Sequence, residues 1–250
     1  MEIIRTVNRL AQVVDAARRD GKTIGLVPTM GALHAGHKSL VDRARRENDV
    51  VVVSVFVNPT QFNNADDLRT YPRTEEADCA MLEGCGADYA FVPTPDEVYP
   101  EPDNRVFDLG PVAEVMEGAM RPGHFNGVAQ IVSKLFAWAK PTRAYFGEKD
   151  FQQIAVIRRM VELEGFDLEI VPCPIVRETD GLALSSRNVR LSPEARAIAP
   201  QIHRILADSV DLKKQGYEAD QVEKLTLDAI NNIDGLEAEY YSIVDARTMQ

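Results

Sequence analysis

Two of the four histidines in this chain, His34 and His37, stand three residues apart in a glycine-containing segment, residues 30–37, here called the histidine loop. The loop follows a short β-branched run that predicts a strand, and a predicted helix begins at its end. Free backbone N–H groups at a helix start suit a phosphate, and two imidazoles at this spacing can donate to one phosphate group. A metal pair or a surface loop with incidental histidines remains an alternative, although no third metal ligand has suitable spacing nearby.

Polar side chains also follow the next predicted strand, residues 50–57. Asn58 and Gln61 come directly after it, where the carboxyl ends of parallel strands meet at one sheet edge and ligands bind. We expect both amides to contact a substrate hydroxyl or carboxylate. The alternative is that they only satisfy the hydrogen bonds of their own backbone.

A third polar segment, residues 147–153, lies between a predicted strand and a predicted helix. Lys149 would act at a phosphate site as a point charge on a flexible stem. Asp150 is either a site residue or the N-cap of the helix that follows. Gln153 lies one turn into that helix.

Residues 184–187, Leu-Ser-Ser-Arg, are here called the serine loop. Two hydroxyls beside Arg187 make a compact anion clamp, although such a run is also common in solvated loops. His124, before another predicted helix, either contacts substrate or caps that helix. The chain has no G-x-S-x-G, P-loop or G-x-G-x-x-G motif. Donors without a covalent nucleophile suit chemistry at phosphorus, where a protein positions groups and stabilises charge.

Composition limits the class of protein. The 250 residues include 39 acidic and 28 basic side chains, a net charge of −11, so we expect no binding of nucleic acid or of an anionic membrane surface. No stretch approaches the roughly 18 apolar residues of a membrane span, and the N-terminus lacks a secretory pattern. Three cysteines without a C-x-x-C motif suit a reducing, cytoplasmic setting and are expected to be packing residues.

The elements that must position these residues alternate between strand and helix. This pattern predicts an α/β fold with a doubly wound parallel sheet, followed by a smaller α+β C-terminal domain. We place the boundary between residues 1–176 and 177–250. The predicted strands are 23–28, 50–57, 89–92, 144–146, 168–171 and, in the second domain, 238–244. The predicted helices are 7–19, 37–47, 74–86, 127–139, 151–163, 192–214 and 219–233.

The histidine loop and the serine loop together resemble the nucleotidyltransferase superfamily, which pairs a HIGH-like motif with a KMSKS-like loop. Six segments then narrow the resemblance to the pantothenate synthetase family, whose members are pantoate–β-alanine ligases. They occur in family order and are 28–34, 57–62, 71–74, 121–125, 145–150 and 181–188. Another HIGH-motif adenylyltransferase is the alternative, but neutral Gln61 and Gln153 stand where a phosphate-bearing substrate would favour Arg or Lys.

The resemblance implies that ATP and pantoate give pantoyl adenylate and pyrophosphate with Mg²⁺, and that β-alanine then yields pantothenate and AMP. It implies contacts of Gln61 with pantoate and β-alanine, and of Gln153 with pantoate. The implied catalytic residues are His34, His37, Lys149, Ser185, Ser186 and Arg187, with no metal ligand among the side chains. The implied ATP site comprises Met30, Gly31, Ala32, Leu33, His34, Ala35, Gly36, His37, Gly147, Glu148, Lys149, Asp150, Val176, Leu184, Ser185, Ser186 and Arg187.

Family members are cytoplasmic homodimers, and their chains normally continue by about another strand pair. The resemblance therefore implies a homodimer in the cytoplasm, with a C-terminal domain that covers the site as a lid and is truncated in this sequence. An inactive nucleotide-binding fragment is a further alternative on that account. The methionine that usually precedes the Ser-Ser-Arg run is Leu184 here, an apolar exchange that we expect to be tolerated.

Overall fold

A six-stranded parallel sheet forms the centre of the computed structural model, which describes residues 1–250. The strand order is β1-β4-β3-β2-β5-β6. The strands are β1 (Glu2–Ile4), β2 (Ile24–Thr29), β3 (Val50–Val55), β4 (Tyr89–Phe91), β5 (Arg143–Gly147) and β6 (Glu169–Cys173). The predicted parallel sheet is confirmed, whereas β1 was not anticipated because its three residues are too few for a pattern.

Helices connect the strands, and most begin within three residues of the predicted positions. Thr6 caps the first helix as predicted, since its hydroxyl accepts from the Arg9 N–H. No helix is both long and apolar enough to cross a bilayer. The helices are α1 (Val7–Arg19), α2 (Ala35–Glu47), α3 (Ala65–Thr70), α4 (Glu75–Gly84), α5 (Pro95–Val98), α6 (Glu117–Met120), α7 (His124–Ala139), α8 (Phe151–Glu164), α9 (Pro193–Ile198), α10 (Pro200–Lys214) and α11 (Ala219–Asn231).

The core lies on both faces of the sheet. All six residues of β3 are buried, as a continuous apolar run predicts for a strand covered on both sides. One apolar cluster includes residues of α1, α7 and α8, and a second includes residues of α2 and α4. Cys79 and Cys173 are buried in the second cluster and Cys85 packs against it; all three are free thiols, as predicted. Helices on both faces make the sheet doubly wound.

The order of the strands determines where a ligand can bind. β2 pairs with β3 on one side and with β5 on the other. Strands β3 and β4 lie on one side of β2 and strands β5 and β6 on the other, so the side on which successive strands are added reverses at β2. In open parallel sheets, ligands bind in the crevice outside the carboxyl ends of the strands at such a reversal. The histidine loop follows β2, and residues 148–150 follow β5.

Two predictions for residues 177–250 are wrong. The helix expected over 192–214 is divided at Pro200, because proline has no N–H and its ring clashes with the preceding turn. The strand expected over 238–244 does not form. A strand needs a neighbour for its backbone groups, and here the Ala238 and Ile243 N–H groups donate to the Asn231 and Glu223 side chains instead. The domain boundary at residue 176 stays a prediction.

Candidate active site

A cavity of about 600 Å³ opens at the carboxyl ends of β2, β3 and β5. It brings together the segments that the sequence singled out, although they are up to 157 residues apart. Five residues expected at the ATP site do not line the cavity: Gly31, Ala32, Leu33, Ala35 and Glu148. The predicted residues that line it are Met30, His34, Gly36, His37, Gln61, Gly147, Lys149, Asp150, Gln153, Val176, Leu184, Ser185, Ser186 and Arg187.

Hydrogen bonds from backbone N–H groups fix the rings of both histidines in the histidine loop. The His34 ring accepts from the Gly36 N–H at Nδ1 (3.1 Å), and the His37 ring accepts from the His34 N–H at Nδ1 (3.2 Å). A Cβ on Gly36 would lie 2.8 Å from the His34 ring, so glycine is required for this close approach. Because each Nδ1 accepts, each neutral ring carries its proton on Nε2. Both histidines are therefore hydrogen-bond donors at Nε2.

The surroundings keep both rings uncharged. Burial, together with a smaller effect of the neighbouring His34, lowers the pKa of His37 to about 3. Burial and then the Lys149 ammonium lower the pKa of His34. The ring centroids are 4.1 Å apart, a separation at which two cations would repel strongly. The pair therefore offers two neutral N–H donors near neutral pH.

A buried carboxylate that sequence reasoning missed shapes the histidine loop. Asp78 on α4 is 2% exposed, and it accepts from the Ala32 and Leu33 N–H groups at 2.9 and 2.8 Å. The Thr74 hydroxyl also donates to it, at 3.1 Å. Ala32 has a φ of +49°, which is uncommon for a residue with a Cβ. The two hydrogen bonds to Asp78 stabilise this conformation and keep residues 31–33 behind the cavity wall.

Asn58 positions Gln61 and has no free polar group of its own. Its Nδ2 donates to the Gln61 Oε1 and the Gly127 carbonyl, both at 3.1 Å. Its Oδ1 accepts from Tyr99 (2.7 Å) and Thr60 (3.2 Å). This buried amide lines the cavity with all its polar atoms hydrogen-bonded within the protein, so its contact with substrate stays a prediction. The Gln61 Oε1 accepts from Asn58, and the Gln61 NH₂ group has no partner within the protein, so it is free to donate to a ligand.

Helix α7 packs unusually close to the turn that carries Gln61. A Cβ on Gly127 would lie 2.4 Å from the Thr60 carbonyl oxygen and 2.7 Å from the Gln61 Cα. His124, the first residue of α7, does not cap the helix, because Gly123 occupies the N-cap position. Its Nδ1 instead lies 2.8 Å from the Gln61 carbonyl oxygen. Glycine at 127 is therefore what allows α7 to hold this turn.

Two adjacent glutamines at the start of α8 have different roles. The Gln152 amide donates to the carbonyls of Val112 and Val115 and accepts from the Glu117 N–H. The side-chain amide of Gln153 makes no hydrogen bond within the protein, and this half-buried side chain lines the cavity. Gln153 can therefore both donate to and accept from a ligand.

Lys149 and Asp150 form an ion pair at the cavity mouth, with Nζ 2.9 Å from Oδ1. Asp150 occupies the N-cap position of α8, but its side chain makes no capping hydrogen bond. Both residues are exposed, so the pair contributes little to stability and leaves Lys149 able to reach an anion.

The serine loop docks against the histidine loop. The Ser186 hydroxyl donates to the Ala32 carbonyl at 3.0 Å, and the Ser185 hydroxyl accepts from the Arg187 N–H at 3.2 Å. The Arg187 guanidinium forms a fork with Asp67 on α3 (2.8 and 3.3 Å) and lies over the Tyr71 ring at 5.2 Å. These hydrogen bonds from Arg187 lower the pKa of Asp67. Arg187 lines the cavity, as predicted, with Asp67 as its partner.

The family of the chain follows from sequence comparison. The family model described as pantoate-beta-alanine ligase matches residues 2–250. The chain belongs to the pantoate–β-alanine ligase family. Curated relatives include the pantothenate synthetase of Porphyromonas gingivalis, 60% identical over all of this chain and 89% of its own length. That of Bacteroides fragilis is 58% identical over all of this chain and 88% of its own length.

Solved structures of this family have the same fold. The pantothenate synthetase of Thermus thermophilus superposes with a TM-score of 0.94 at 46% identity, covering all of this chain and 89% of the other. The pantoate-beta-alanine ligase of Francisella tularensis, solved with beta-gamma ATP and beta-alanine, has a TM-score of 0.81 at 36% identity, covering 92% and 86%. The resemblance and the doubly wound parallel α/β fold expected from the sequence are confirmed.

For this ligase, sequence reasoning missed the residues that support the site rather than those that line it. Asp78, Asp67 and Tyr99 contact the functional segments through side-chain hydrogen bonds over 46, 120 and 41 residues. No local motif marks them. Gly127 gave no signal either, because it was the first residue of the predicted helix 127–139 and lies inside α7 only in the structure.

Proposed function

We propose that this chain joins pantoate to β-alanine in two steps at this cavity. ATP and pantoate first give pantoyl adenylate and pyrophosphate, and β-alanine then gives pantothenate and AMP. The observation that carries the proposal is that one cavity is lined by neutral N–H donors, by the free NH₂ group of Gln61 and by the unpaired amide of Gln153. The first set suits phosphates, and the second suits a small hydroxy acid.

In the first step, a carboxylate oxygen of pantoate attacks the α-phosphorus of ATP, and the bond to pyrophosphate breaks. The two anions repel, so donors and positive charge are needed where negative charge develops. Each such donor typically contributes about 10²–10³ in rate. We assign this role to His34, His37, Lys149, Ser185, Ser186 and Arg187. Met30, Gly36, Gly147, Asp150, Val176 and Leu184, which line the same cavity, would complete the contacts with ATP.

Binding of pantoate is assigned to the two amides. Gln61 offers NH₂ hydrogens to its oxygen atoms, and Gln153 can both donate to and accept from its hydroxyl and carboxylate groups. Gln61 would also contact β-alanine, as the family resemblance implies. Both side chains are neutral, which suits a substrate without a phosphate group.

Mg²⁺ would enter with ATP as part of the substrate. No group of three or more His, Cys, Asp or Glu side chains in this structure could hold a metal ion. Mg²⁺ often uses one or two carboxylates together with nucleotide phosphates, and Asp150 at the cavity mouth fits that pattern. The ion would supply charge neutralisation on the phosphates, while the residues named above orient them.

We further propose a homodimer in the cytoplasm, which rests on the family resemblance. Sedimentation equilibrium of the purified chain checks the first part, with twice the 27.8 kDa chain mass as the expected result.

The exchange of labelled pyrophosphate into ATP tests the two-step reaction. We expect exchange with pantoate and Mg²⁺ present and β-alanine absent, because the adenylate is a high-energy anhydride whose formation is reversible. Omission of pantoate should stop it. Exchange that requires β-alanine would contradict the stepwise mechanism, provided that the same preparation forms pantothenate. A folded chain that binds ATP but neither exchanges nor forms pantothenate would be the inactive nucleotide-binding fragment.

A further inference from the structure

The second step needs a group that accepts a proton. β-Alanine carries an ammonium group near neutral pH, and only its uncharged amine can attack the acyl carbon of the adenylate. Resting on the function proposed above, we propose that the Nε2 atom of His124 accepts this proton and so directs the amine to the adenylate.

The hydrogen bonding of His124 fixes which of its nitrogens is basic. Its Nδ1 lies 2.8 Å from the Gln61 carbonyl oxygen, which can only accept, so Nδ1 carries the proton. The neutral ring then has its lone pair on Nε2. Nε2 makes no hydrogen bond within the protein, and this atom is not fully buried. His124 lines the cavity beside Gln61, so this lone pair is accessible from the substrate space.

The tautomer of His124 is opposite to that of the histidine loop. His34 and His37 accept at Nδ1 and present N–H groups at Nε2, so neither offers a lone pair to the cavity. His203 does not line the cavity. Among the four histidines, only His124 therefore presents a basic nitrogen to the substrates.

The charged groups around His124 are already paired. Arg121, before the helix, donates to the Glu117 carboxylate at 2.8 Å, and the Tyr240 hydroxyl donates to the same carboxylate at 3.3 Å. Asp150, from the turn after β5, is paired with Lys149. Burial lowers the pKa of the His124 ring, with Arg121 adding to this effect and the Gln61 carbonyl, Glu117 and Asp150 opposing it. The ring is therefore in its accepting form near neutral pH.

The second step moves two protons from the amine and replaces an acyl C–O bond with a C–N bond. The ammonium gives one proton to Nε2, and the amine forms a C–N bond to the acyl carbon. The tetrahedral intermediate then breaks the acyl C–O bond, and the electron pair leaves on the phosphate oxygen of AMP. The second proton of the amine passes to that oxygen, and the imidazolium returns its proton to solvent after the products leave.

His124→Asn is the variant that separates a base from a support. The asparagine Nδ2 can take the place of the histidine Nδ1 and still donate to the Gln61 carbonyl, but the side chain has no basic nitrogen. We expect pantothenate formation to fall by about 10²-fold or more, the usual contribution of a general base. Pantoate-dependent pyrophosphate exchange should fall by less than about threefold, because that step does not use β-alanine. His203→Asn is the matched control and should leave both rates at the wild-type level.

Hydroxylamine provides an independent measurement. It is largely uncharged near neutral pH and needs no base, so it can trap pantoyl adenylate as a hydroxamate. In the His124→Asn variant, hydroxamate formation should stay close to wild type while pantothenate formation is lost. Equal losses with hydroxylamine and β-alanine would overturn the proposal, because they would indicate a structural role. Normal pantothenate formation would also overturn it.

The outcome for wild type separates the two proposals. If the wild-type chain lacks pantoate-dependent exchange, the proposed function fails before His124 is tested. If wild type is active and His124→Asn does not fold, the hydroxylamine and β-alanine rates are compared in His124→Gln, which also lacks a basic nitrogen, with circular dichroism as the check on folding.

Discussion

The neutrality of His37 can be tested by replacing it with asparagine. His37 accepts the His34 N–H at Nδ1, and the Oδ1 of an asparagine can accept the same hydrogen bond. The substitution removes the titrating ring while it keeps the cap of α2. If His37 is a buried neutral donor, wild type and variant must differ in how their stability depends on pH.

The size of this difference follows from the pKa of His37, which burial lowers to about 3. Above the unfolded pKa of about 6.5, both folded and unfolded states are neutral and no pH dependence arises. Below it, only the unfolded state takes up the proton, so the free energy of unfolding falls as pH falls. Between pH 7.5 and pH 4.5, wild type should lose about 2.7 kcal/mol that the variant does not lose.

Urea unfolding at a series of pH values measures this difference. All groups other than residue 37 are common to the two proteins, so their contributions cancel when the two curves are subtracted. The ¹H–¹³C signals of the four histidines provide a direct check, since the signal lost in the variant is that of His37. A stability difference that is constant between pH 7.5 and 4.5 would refute the reasoning, as would a His37 signal that titrates near its ordinary pKa. His37 would then be available as a cation to the phosphates.

Other substitutions test the remaining parts of the site. Gln61→Ala and Gln153→Ala should each raise the KM for pantoate by about tenfold and the KM for ATP by less. Each substitution removes a hydrogen bond to a charged or polar substrate group, which is worth about 1.4 kcal/mol. Steady-state kinetics with each substrate varied would count against the assignment if both KM values rose equally. Asp78→Ala should lower the free energy of unfolding by about 2–6 kcal/mol, because two backbone N–H groups of the histidine loop lose their acceptor; calorimetry showing no change in melting temperature would contradict this. Gly127→Ala should raise the KM for pantoate in a folded protein, because its new Cβ displaces the turn of Gln61; a wild-type KM would show that the turn adjusts without cost.

The sequence alone was sufficient for five of the six strands and for the polar segments of the cavity wall that carry the expected chemistry. Apolar runs such as Val50–Val55 are recognised as strands by their short length and β-branched composition, which are properties of the local sequence. Polar residues directly after such runs must lie at one edge of a parallel sheet, whatever the strand order. His34, Gln61 and Lys149 were identified on that basis, and the serine loop was identified from its two hydroxyls beside an arginine; all of them line the cavity.

The tertiary structure decided what each of these side chains can do. Which nitrogen of a histidine carries the proton depends on its partner: a backbone N–H for His34 and His37, a carbonyl for His124. Asn58 and Gln61 have the same amide chemistry. All polar atoms of the Asn58 side chain are hydrogen-bonded within the protein, whereas the Gln61 NH₂ group is free. Residues 238–244 have the alternation of a strand and form none, because alternation does not supply a neighbouring strand. Residue type and spacing are local properties, whereas hydrogen-bond partners come from segments that only the fold brings together.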